Sequence, residues 1–397
     1  MREVRIVCVL LTSLQRSIQL PNLESALLVQ DFTAGGINAL PSHPRHSSGD
    51  PALDQSIKEL VAKNGCTTSC DLIEEMITTA LKIGRDNLSV ADLKLFNRSL
   101  KELRQAANMF ARYRDHRKVV VFGSARTPAD DPESLAAEEF ARKMREHDYM
   151  IITGGGDGIM GAAQKGAGRE NSFGLNIRLP FEQRANETIH GDRKLINFNY
   201  FFTRKLNFVK ETHGVALFPG GFGTMDEGFE VLTLMQTGKA RIIPVVLVDK
   251  PGGTYWKTWQ AFLSEYLLNR GFVSEEDLYL FRTAENVDDA VREIVDFYRV
   301  FHSYRWVGAQ LVIRITKALT PAALRELNAT FAGLCVECQI EQTKALAEES
   351  NEPELGELPR IVLMPNRRNF GILRKLIDSI NQAETIKPAD EAVAREI

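Results

Sequence analysis

Between residues 118 and about 302, short and mostly apolar runs alternate with segments that repeat apolar residues every three or four positions. The runs are typical of strands buried on both faces, and the repeating segments are typical of helices that cover such strands. The alternation predicts an α/β domain built as a Rossmann-like, doubly wound parallel sheet. Predicted strands are Val119–Phe122, Met150–Thr153, Phe173–Leu179, Gly214–Phe218 and Ile242–Val248, and predicted helices cover 132–147, 158–169, 203–212, 224–237, 255–269 and 286–302.

The region before this domain, which we place at residues 117–304, follows other patterns. Residues 1–52 show little apolar periodicity and are rich in Gly, Pro, Ser and His after Thr33, so we expect a disordered leader. Residues 53–116 have helical spacing, with Ser89 as an N-cap, and predict a helical subdomain of two or three helices. We expect that subdomain to serve packing or oligomer contact, without chemistry of its own.

The last part of the chain predicts a small α/β appendage at residues 305–386. Gln310–Ile315 and Arg360–Met364 have the pattern of strands, whereas Pro321–Leu334 and Phe370–Ile380 have that of helices. No catalytic constellation is visible in this appendage. We expect residues 387–397 to form a frayed tail.

Composition excludes several classes of protein. The chain of 397 residues is 44% apolar and 25% charged, with a formal net charge of -3, so no overall field favours nucleic acid or an anionic membrane. No apolar run reaches the roughly 18 residues of a transmembrane helix. The apolar stretch Ile6–Leu11, after Arg2 and Arg5, is shorter than a signal-peptide core, and we expect a cytoplasmic protein.

The five cysteines are an odd and sparse count, which is typical of a reducing compartment. Two pairs, Cys66 with Cys70 and Cys335 with Cys338, could together supply four thiolates to zinc. No histidine lies at ligand spacing near either pair. We therefore favour small, buried or half-buried thiols and expect no metal.

The first glycine-rich loop, TGGGDGIMG at residues 153–161, follows a predicted strand and precedes a predicted helix. Glycines such as Gly155 and Gly156 let backbone N–H groups approach a ligand closely, and the helix N-terminus favours an anion. The loop matches neither the dinucleotide fingerprint GxGxxG with its ribose-binding acid nor the P-loop GxxxxGK[ST]. By itself it fits a phosphate or sugar site and a glycine turn for tight packing equally well.

The second glycine-rich loop, PGGFGTMDE at residues 219–227, also follows an apolar strand and precedes a helix. Gly220, Gly221 and Gly223 expose backbone donors, and Thr224 adds a hydroxyl group. In a parallel sheet both loops lie at the carboxyl ends of strands, where ligands bind. Two such anion cradles in one domain predict a ligand that is held by its phosphate between them.

The charged residues near these loops can be interpreted either as structural or as catalytic. We place Glu227 in the first turn of the helix after the second loop, as a helix N-terminal acid or as a carboxylate near a ribose. Asp226 is expected to face solvent or to serve structure. Arg204 and Lys205 begin the preceding helix, and Arg204 offers a fork to phosphate or base, although Arg-Lys pairs are common on any surface.

Taken together, these segments resemble the Lonely Guy (LOG) family of nucleotide phosphoribohydrolases, long labelled possible lysine decarboxylases. PGGFGTMDE is an instance of PGGxGTxxE, and Arg204-Lys205 lies the expected short distance upstream. FGSAR at 122–126, which contains Ser124, matches the first βα turn of the family, and residues 154–161 match its GGGxxGxMG-type loop. The resemblance covers Val119 to about Val295, and the flanks look like those of a long-chain bacterial subgroup.

The resemblance implies hydrolysis of the N-glycosidic bond of a nucleoside 5′-monophosphate to free base and ribose 5-phosphate, without a cofactor. The catalytic Arg and Glu of the family correspond to Arg204 and Glu227, and a carboxylate near the ribose suits an oxocarbenium-like transition state. A homodimer or higher oligomer, with the site near the interface, is also implied. Residues expected to bind the substrate are Ser124, Gly155, Gly156, Lys205, Gly220, Gly221, Gly223 and Thr224.

Two departures from the family bear on the substrate. Phe201 and Phe202 stand where members active on cytokinin nucleotides commonly carry Met-His, and Thr153 replaces the first glycine of the loop. Both leave the phosphate and ribose chemistry intact. We therefore expect a purine monophosphate, AMP in preference to a cytokinin-type nucleotide.

A non-catalytic nucleotide-binding or sensor protein is the alternative, because Rossmann-like domains often bind without catalysis. The presence of both Arg204 and Glu227 favours an enzyme. A lysine decarboxylase is disfavoured, since no lysine is placed for a pyridoxal phosphate Schiff base. The slightly acidic chain, without a basic-aromatic surface, disfavours a nucleic-acid partner.

Overall fold

The computed structural model describes residues 47–180, 184–335, 339–366 and 369–386. Most of the expected leader and the whole expected tail lie outside the described residues. Helix α1 begins at Pro51, where the side chain of Asp50 accepts hydrogen bonds from the backbone N–H groups of Ala52 and Leu53. Proline suits this first helical position, because its missing N–H would have no partner there. Helical structure thus begins two residues before the expected boundary.

In the described part of the chain, three α-helices precede the first strand. The last of them begins after Ser89, whose Oγ accepts a hydrogen bond from the N–H of Asp92, as the capping pattern predicts. Its C-terminal end packs into the protein core, where the ring of Phe110 lies 4.8 Å from that of Phe173. These helices are α1 (Pro51–Lys63), α2 (Cys70–Arg85) and α3 (Val90–Phe110).

The central domain is a parallel sheet of seven strands in the order β4-β3-β2-β1-β5-β6-β7, which confirms the predicted fold class. Its strands are β1 (Lys118–Phe122), β2 (Met150–Thr153), β3 (Ser172–Ile177), β4 (Leu195–Phe198), β5 (Gly214–Leu217), β6 (Val245–Val248) and β7 (Arg282–Ala284). Alternate residues of β1 enter two separate cores, Val120 and Phe122 on one face and Val119 and Val121 on the other.

Helices cover both faces of this sheet, as continuous apolar strands require. They are α4 (Pro132–Glu146), α5 (Ile159–Ala167), α6 (Phe201–Glu211), α7 (Phe222–Gln236), α8 (Tyr255–Phe262) and α9 (Val287–Asp296). A π-helical segment, Leu263–Leu268, continues from α8, so the predicted helix over 255–269 is divided. Across the residues described, we find no helix with the length and apolar character needed to cross a membrane.

The predicted helix over 286–302 is wrong in its last third. Helix α9 ends at Asp296, and the chain enters β8 (Phe301–Val307) at a residue that was predicted to be helical. Phe297, Tyr298, Val300 and Phe301 are all buried. An amphipathic surface helix would expose part of this run, and the chain instead crosses the core here.

The C-terminal part forms a second, antiparallel sheet of four strands in the order β10-β11-β9-β8. The additional elements are β9 (Gln310–Ile315), α10 (Pro321–Thr330), β10 (Glu341–Thr343), β11 (Arg360–Leu363) and α11 (Phe370–Gln382). Arg314 and Arg360 extend from neighbouring strands to the buried carboxylate of Glu349, at 2.8 and 2.9 Å. These ion pairs fix the turn Ala347–Glu349, which follows β10, against the sheet.

Candidate active site

Two loops of the candidate site meet where the strand order of the large sheet reverses, between β1 and β5. The hydrogen-bond ladder continues past both strand ends: the N–H of Phe218 donates to the carbonyl of Phe122 (2.9 Å), and the N–H of Ser124 donates to that of Pro219 (3.1 Å). In doubly wound sheets, the crevice at this reversal is where ligands bind. Ser124 and the second glycine-rich loop are therefore brought together, as the resemblance implied.

Within the second loop, Gly220 is packed too closely to carry a side chain. A Cβ on Gly220 would lie 2.1 Å from Oγ1 and 2.8 Å from Cβ of Thr224, and 3.0 Å from the backbone nitrogen of Ser124. By contrast, a Cβ on Gly221 or Gly223 would have no atom within 4 Å. The backbone of these two glycines thus faces open space at the start of α7, where a phosphate could approach helix N–H groups.

The first glycine-rich loop is shaped by contacts within the protein. Gly155 adopts a positive φ of 76°, and its N–H donates to Oγ1 of Thr153 (2.9 Å). The side-chain amide of Asn186 donates to the carbonyls of Gly155 (3.1 Å) and Gly156 (2.9 Å). These bonds hold the loop from behind, and direct contacts of Gly155 and Gly156 with a substrate stay a prediction.

Arg204 links helix α6 to the first loop. Its Nε donates to the carbonyl of Leu175 in β3 (2.8 Å), and a Cβ on Gly154 would lie 2.7 Å from its Nη2. The guanidinium carbon lies 5.1 Å from the centroid of the Phe208 ring. Burial lowers the pKa of the Arg204 guanidinium, and the charge of Glu227 opposes that change. An arginine stays cationic under these influences, so a fixed positive charge lies beside the loop.

Lys205 points to helix α7 and to a group of carboxylates. Its Nζ lies 2.8 Å from Oε2 of Glu230, 3.0 Å from Oδ2 of Asp226 and 3.5 Å from Oε2 of Glu227. Burial lowers the pKa of the Lys205 ammonium, but hydrogen bonds to Glu230 and Asp226 outweigh it, so the net shift of the pKa is upward. Lys205 is therefore placed as a neighbour of Glu227, and its predicted contact with the substrate stays untested.

The carboxyl group of Glu227 is buried, with 7% of the residue exposed. Burial raises the pKa of Glu227, while the cationic Lys205 and Arg204 oppose the rise. The prediction that Glu227 lies in the first helical turn is wrong, because α7 already begins at Phe222 and places Glu227 in its second turn. The side chain of Asp226 is 61% exposed and still contacts Lys205, so it both faces solvent and serves structure.

A buried carboxylate that sequence reasoning missed anchors the helix of Arg204. Glu102, on α3, accepts hydrogen bonds from the backbone N–H (2.9 Å) and side-chain amide (2.6 Å) of Asn199 and from the hydroxyl of Thr203 (2.6 Å). Thr203 immediately precedes Arg204. The helical subdomain, for which we expected packing or oligomer contact alone, thus positions a candidate catalytic residue.

Tyr255 is a second residue that was missed. Its hydroxyl donates to the carbonyl of Gly220 (2.5 Å), and its backbone N–H donates to Oδ2 of Asp249 (2.9 Å). It supports the second loop from the side of α8. The motif gave no signal for it, since Tyr255 lies 35 residues along the chain from the glycine that it contacts.

Aromatic side chains remain exposed around the start of helices α6 and α7. Phe222 is 96% exposed, and Phe201 and Phe202 are 51% and 54% exposed. The ring of Phe202 stacks on that of Tyr200 at 5.5 Å. Phe222 therefore gives the second loop an exposed flat apolar surface, of the kind that a purine base or a second protein surface could cover.

A zinc site receives no support from the part of the chain that the structure describes. Among those residues, no group of three or more His, Cys, Asp or Glu side chains could hold a metal ion. Cys66, Cys70 and Cys335 are half-buried, whereas Cys8 and Cys338 lie outside the described residues.

The central part of this chain is similar to a known protein family and to named plant enzymes. Residues 160–294 match the family model described as "possible lysine decarboxylase". A probable cytokinin riboside 5′-monophosphate phosphoribohydrolase of Oryza sativa subsp. japonica is 26% identical over 51% of this chain and 89% of its own length. A cytokinin riboside 5′-monophosphate phosphoribohydrolase of Arabidopsis thaliana is 23% identical over 46% and 82%. The predicted resemblance to the LOG family is confirmed.

Solved structures similar to this chain include two proteins that are named for molybdenum cofactor. The molybdenum cofactor carrier protein of Chlamydomonas reinhardtii is 19% identical, covers 45% of this chain and 96% of its own, and gives a TM-score of 0.30. The molybdenum cofactor binding protein of Rippkaea orientalis is 17% identical, with coverage of 45% and 93% and a TM-score of 0.31. Likeness at this level carries no argument about function.

Proposed function

We propose that this protein, whose central domain resembles the LOG phosphoribohydrolases, hydrolyses the N-glycosidic bond of a purine nucleoside 5′-monophosphate. The products would be the free base and ribose 5-phosphate. The observation that carries the proposal is that buried Glu227 and half-buried Arg204, whose charges interact, lie beside the second and the first glycine-rich loop respectively, at the carboxyl edge of the parallel sheet. The names of the plant relatives support the same class of reaction.

The phosphate of the substrate is assigned to the second loop. The open backbone of Gly221 and Gly223 and the N-terminus of α7 offer N–H donors and a partial positive charge. The hydroxyl of Thr224 lies against Gly220 in the same turn. Holding the phosphate here orients the ribose, so binding energy from a group that does not react serves the reacting bond.

In the proposed reaction, the bond between ribose C1′ and the base nitrogen breaks, and its electron pair leaves with the base. A water oxygen forms the new bond to C1′, and one proton of that water ends on the base. The transition state carries positive charge on the ribose. The ionised carboxylate of Glu227 would stabilise this charge and orient the water, and Arg204 would stabilise negative charge on the departing base.

AMP is the preferred substrate in this proposal. Phe201 and Phe202, which replace the Met-His of cytokinin-active members, are exposed at the start of α6. They offer exposed flat apolar surface at the start of α6, without a histidine that could bond to a modified base. The unmodified purine ring of AMP can stack on such an aromatic surface without a hydrogen bond from a side chain.

The test is release of free base from a panel of nucleoside 5′-monophosphates by the wild type and by Glu227→Gln. The glutamine keeps the shape of the side chain and removes its charge, and we expect a loss of about 100-fold or more in kcat. Asp226→Asn is the matched control, since it removes a carboxylate one residue away that is exposed, and we expect activity within about threefold of the wild type.

Two outcomes would contradict the proposal. Binding of every monophosphate without cleavage would establish the alternative, a nucleotide-binding or sensor protein. Cleavage that survives in Glu227→Gln would remove Glu227 from the chemistry. Release of adenine in preference to cytokinin bases would support the assigned specificity.

We also propose a homo-oligomer, supported by apolar side chains that are exposed on the N-terminal helices. Met76 on α2 and Leu93, Phe96 and Leu100 on α3 are between 40% and 58% exposed. Leu93, Phe96 and Leu100 recur at helical spacing and so share one face of α3, and exposed apolar surface of this kind is typical of protein interfaces. Light scattering coupled to size exclusion should give the mass of a dimer or a larger assembly, and a monomeric mass at micromolar concentration would refute the proposal.

A further inference from the structure

A cavity of about 440 Å³ is lined by helix α3 and by Asn199 and Tyr200, the two residues that directly precede helix α6. Its lining residues belong neither to the first nor to the second glycine-rich loop. Its volume is within the range of small-molecule sites. It is therefore a candidate for a ligand apart from the candidate active site.

The charged side chains that line this cavity are all cationic. They belong to Lys94, Arg98 and Lys101, which are four and three residues apart and therefore project from one face of α3. All three residues are exposed, so a ligand can reach them. Within the described ranges, none of the three has an ion-pair or hydrogen-bond partner. Like charges at this spacing repel one another, so an anion beside them is favoured.

The carboxylate that follows this cluster in the sequence does not neutralise it. Glu102 is 3% exposed and does not line the cavity. Its two oxygens accept hydrogen bonds from Asn199 and Thr203, which are uncharged donors. The side chains that a ligand meets in the cavity are therefore cationic or neutral.

The extent and the charge of the cluster favour an anion with more than one phosphate group. Lys94 and Lys101 are seven residues apart, which is about 10 Å along the helix axis. One phosphate group carries about −1.5 to −2 charges at neutral pH, fewer than the three cations offer. A second, linked phosphate lengthens the anion along the helix and brings its charge closer to theirs. The amides of Asn97 and Asn199 and the hydroxyl of Tyr200 add neutral hydrogen-bonding groups.

We propose that this cavity binds an anion with two linked phosphate groups, either inorganic pyrophosphate or an organic diphosphate. The phosphate oxygens accept hydrogen bonds from Lys94, Arg98 and Lys101. Because Asn199 and Tyr200 also line the cavity, the bound diphosphate bridges α3 and the segment that enters α6. Binding at this site does not depend on the proposed nucleotide chemistry.

The test is calorimetric titration of the full-length protein with inorganic pyrophosphate, inorganic phosphate and ADP. We expect pyrophosphate to bind at least about tenfold more tightly than phosphate and to raise the Tm, because a ligand that binds only the folded state stabilises it. The affinity should fall as the salt concentration rises.

Pyrophosphate and ADP distinguish the two sources of a diphosphate. Equal affinities would show that the diphosphate alone is recognised, and tighter binding of ADP would identify an organic diphosphate; both results support the site. The proposal is wrong if neither compound binds, or if inorganic phosphate binds as tightly as both.

Variants locate the bound diphosphate. Lys94→Met, Arg98→Gln and Lys101→Met each remove one exposed charge, and we expect each to weaken binding about threefold to fivefold and the triple variant to abolish it. Arg325→Gln, exposed on α10, is the matched control and should bind as the wild type does. Wild-type affinity in the triple variant would place the anion elsewhere, for instance at the second glycine-rich loop, and would overturn the proposal. These measurements need no turnover, so a failure to hydrolyse AMP would leave their result unchanged.

Discussion

The substitution Gly220→Ala is expected to damage the candidate site through packing alone. The added methyl carbon would lie 2.1 Å from Oγ1 of Thr224, where non-bonded atoms need about 3.5 Å. Rotation of the Thr224 side chain does not relieve the clash, since Thr224 Cβ is 2.8 Å away and the backbone nitrogen of Ser124 is 3.0 Å away. The loop or the start of α7 must therefore move by about 1 Å or more.

A displacement of this size is large for a catalytic site. Misplacement of a substrate by about 1 Å can cost on the order of 100-fold in rate, which is about 2.7 kcal/mol of transition-state stabilisation. Overpacking of a close contact costs about 1–3 kcal/mol of stability. We expect Gly220→Ala to show a lower Tm and a loss of about 100-fold in kcat/KM for AMP. Thermal unfolding and base release measure the two effects separately.

Two further alanine variants isolate the cause. Gly221→Ala places its methyl group in open space at a φ of -91°, which alanine adopts freely, so its Tm should match the wild type while substrate binding weakens. Gly84→Ala lies inside α2 with no atom within 4 Å and should keep full activity. If Gly220→Ala retains wild-type Tm and activity within about threefold, the tight packing of the second loop is not what positions the substrate.

Two other predictions concern the residues around Arg204 and Glu227. Lys205→Met removes a cation that lowers the pKa of Glu227, so that pKa should rise further. Because the ionised carboxylate is the active form, the acid limb of the plot of kcat/KM against pH should move to higher pH. An acid limb at the wild-type pH would contradict this prediction. Glu102→Gln replaces one of the two acceptor oxygens of Glu102 with an NH2 donor, so at least one of its three hydrogen bonds is lost. We expect about 1–3 kcal/mol lower stability in denaturant unfolding and a reduced kcat, and an unchanged midpoint would show that Glu102 does not anchor α6.

The elements that the sequence predicted well are those whose pattern is unambiguous. Strand β1 is apolar after Lys118 and β6 is apolar throughout, and the structure buries every residue of both. Strand β4 escaped prediction because exposed Asn197 interrupts its short run, and β7 because all three of its residues are only half-buried. The sequence pattern of each of these two strands is the same as that of a loop. Only the neighbouring strand in the sheet identifies them as strands.

The candidate site was predictable to a similar extent. The motifs indicated Ser124, Arg204 and Glu227 as candidates, because spacing along the chain reveals which loops follow strands. They could not locate Glu102, whose partner Asn199 is 97 residues away, or the contact of Tyr255 with Gly220. Contacts between residues so far apart in the sequence depend on how the helices pack, and a single sequence does not reveal that packing.

The buried position of Glu102 has a consequence for how the protein is organised. A carboxylate that is 3% exposed and accepts three hydrogen bonds is stable only while its donors stay in place, so α3 and the start of α6 hold each other. Arg204 follows directly on α6 and reaches the first glycine-rich loop. The geometry of that arginine therefore depends on helices outside the Rossmann-like domain. We therefore expect the N-terminal subdomain to be required for a correctly formed site.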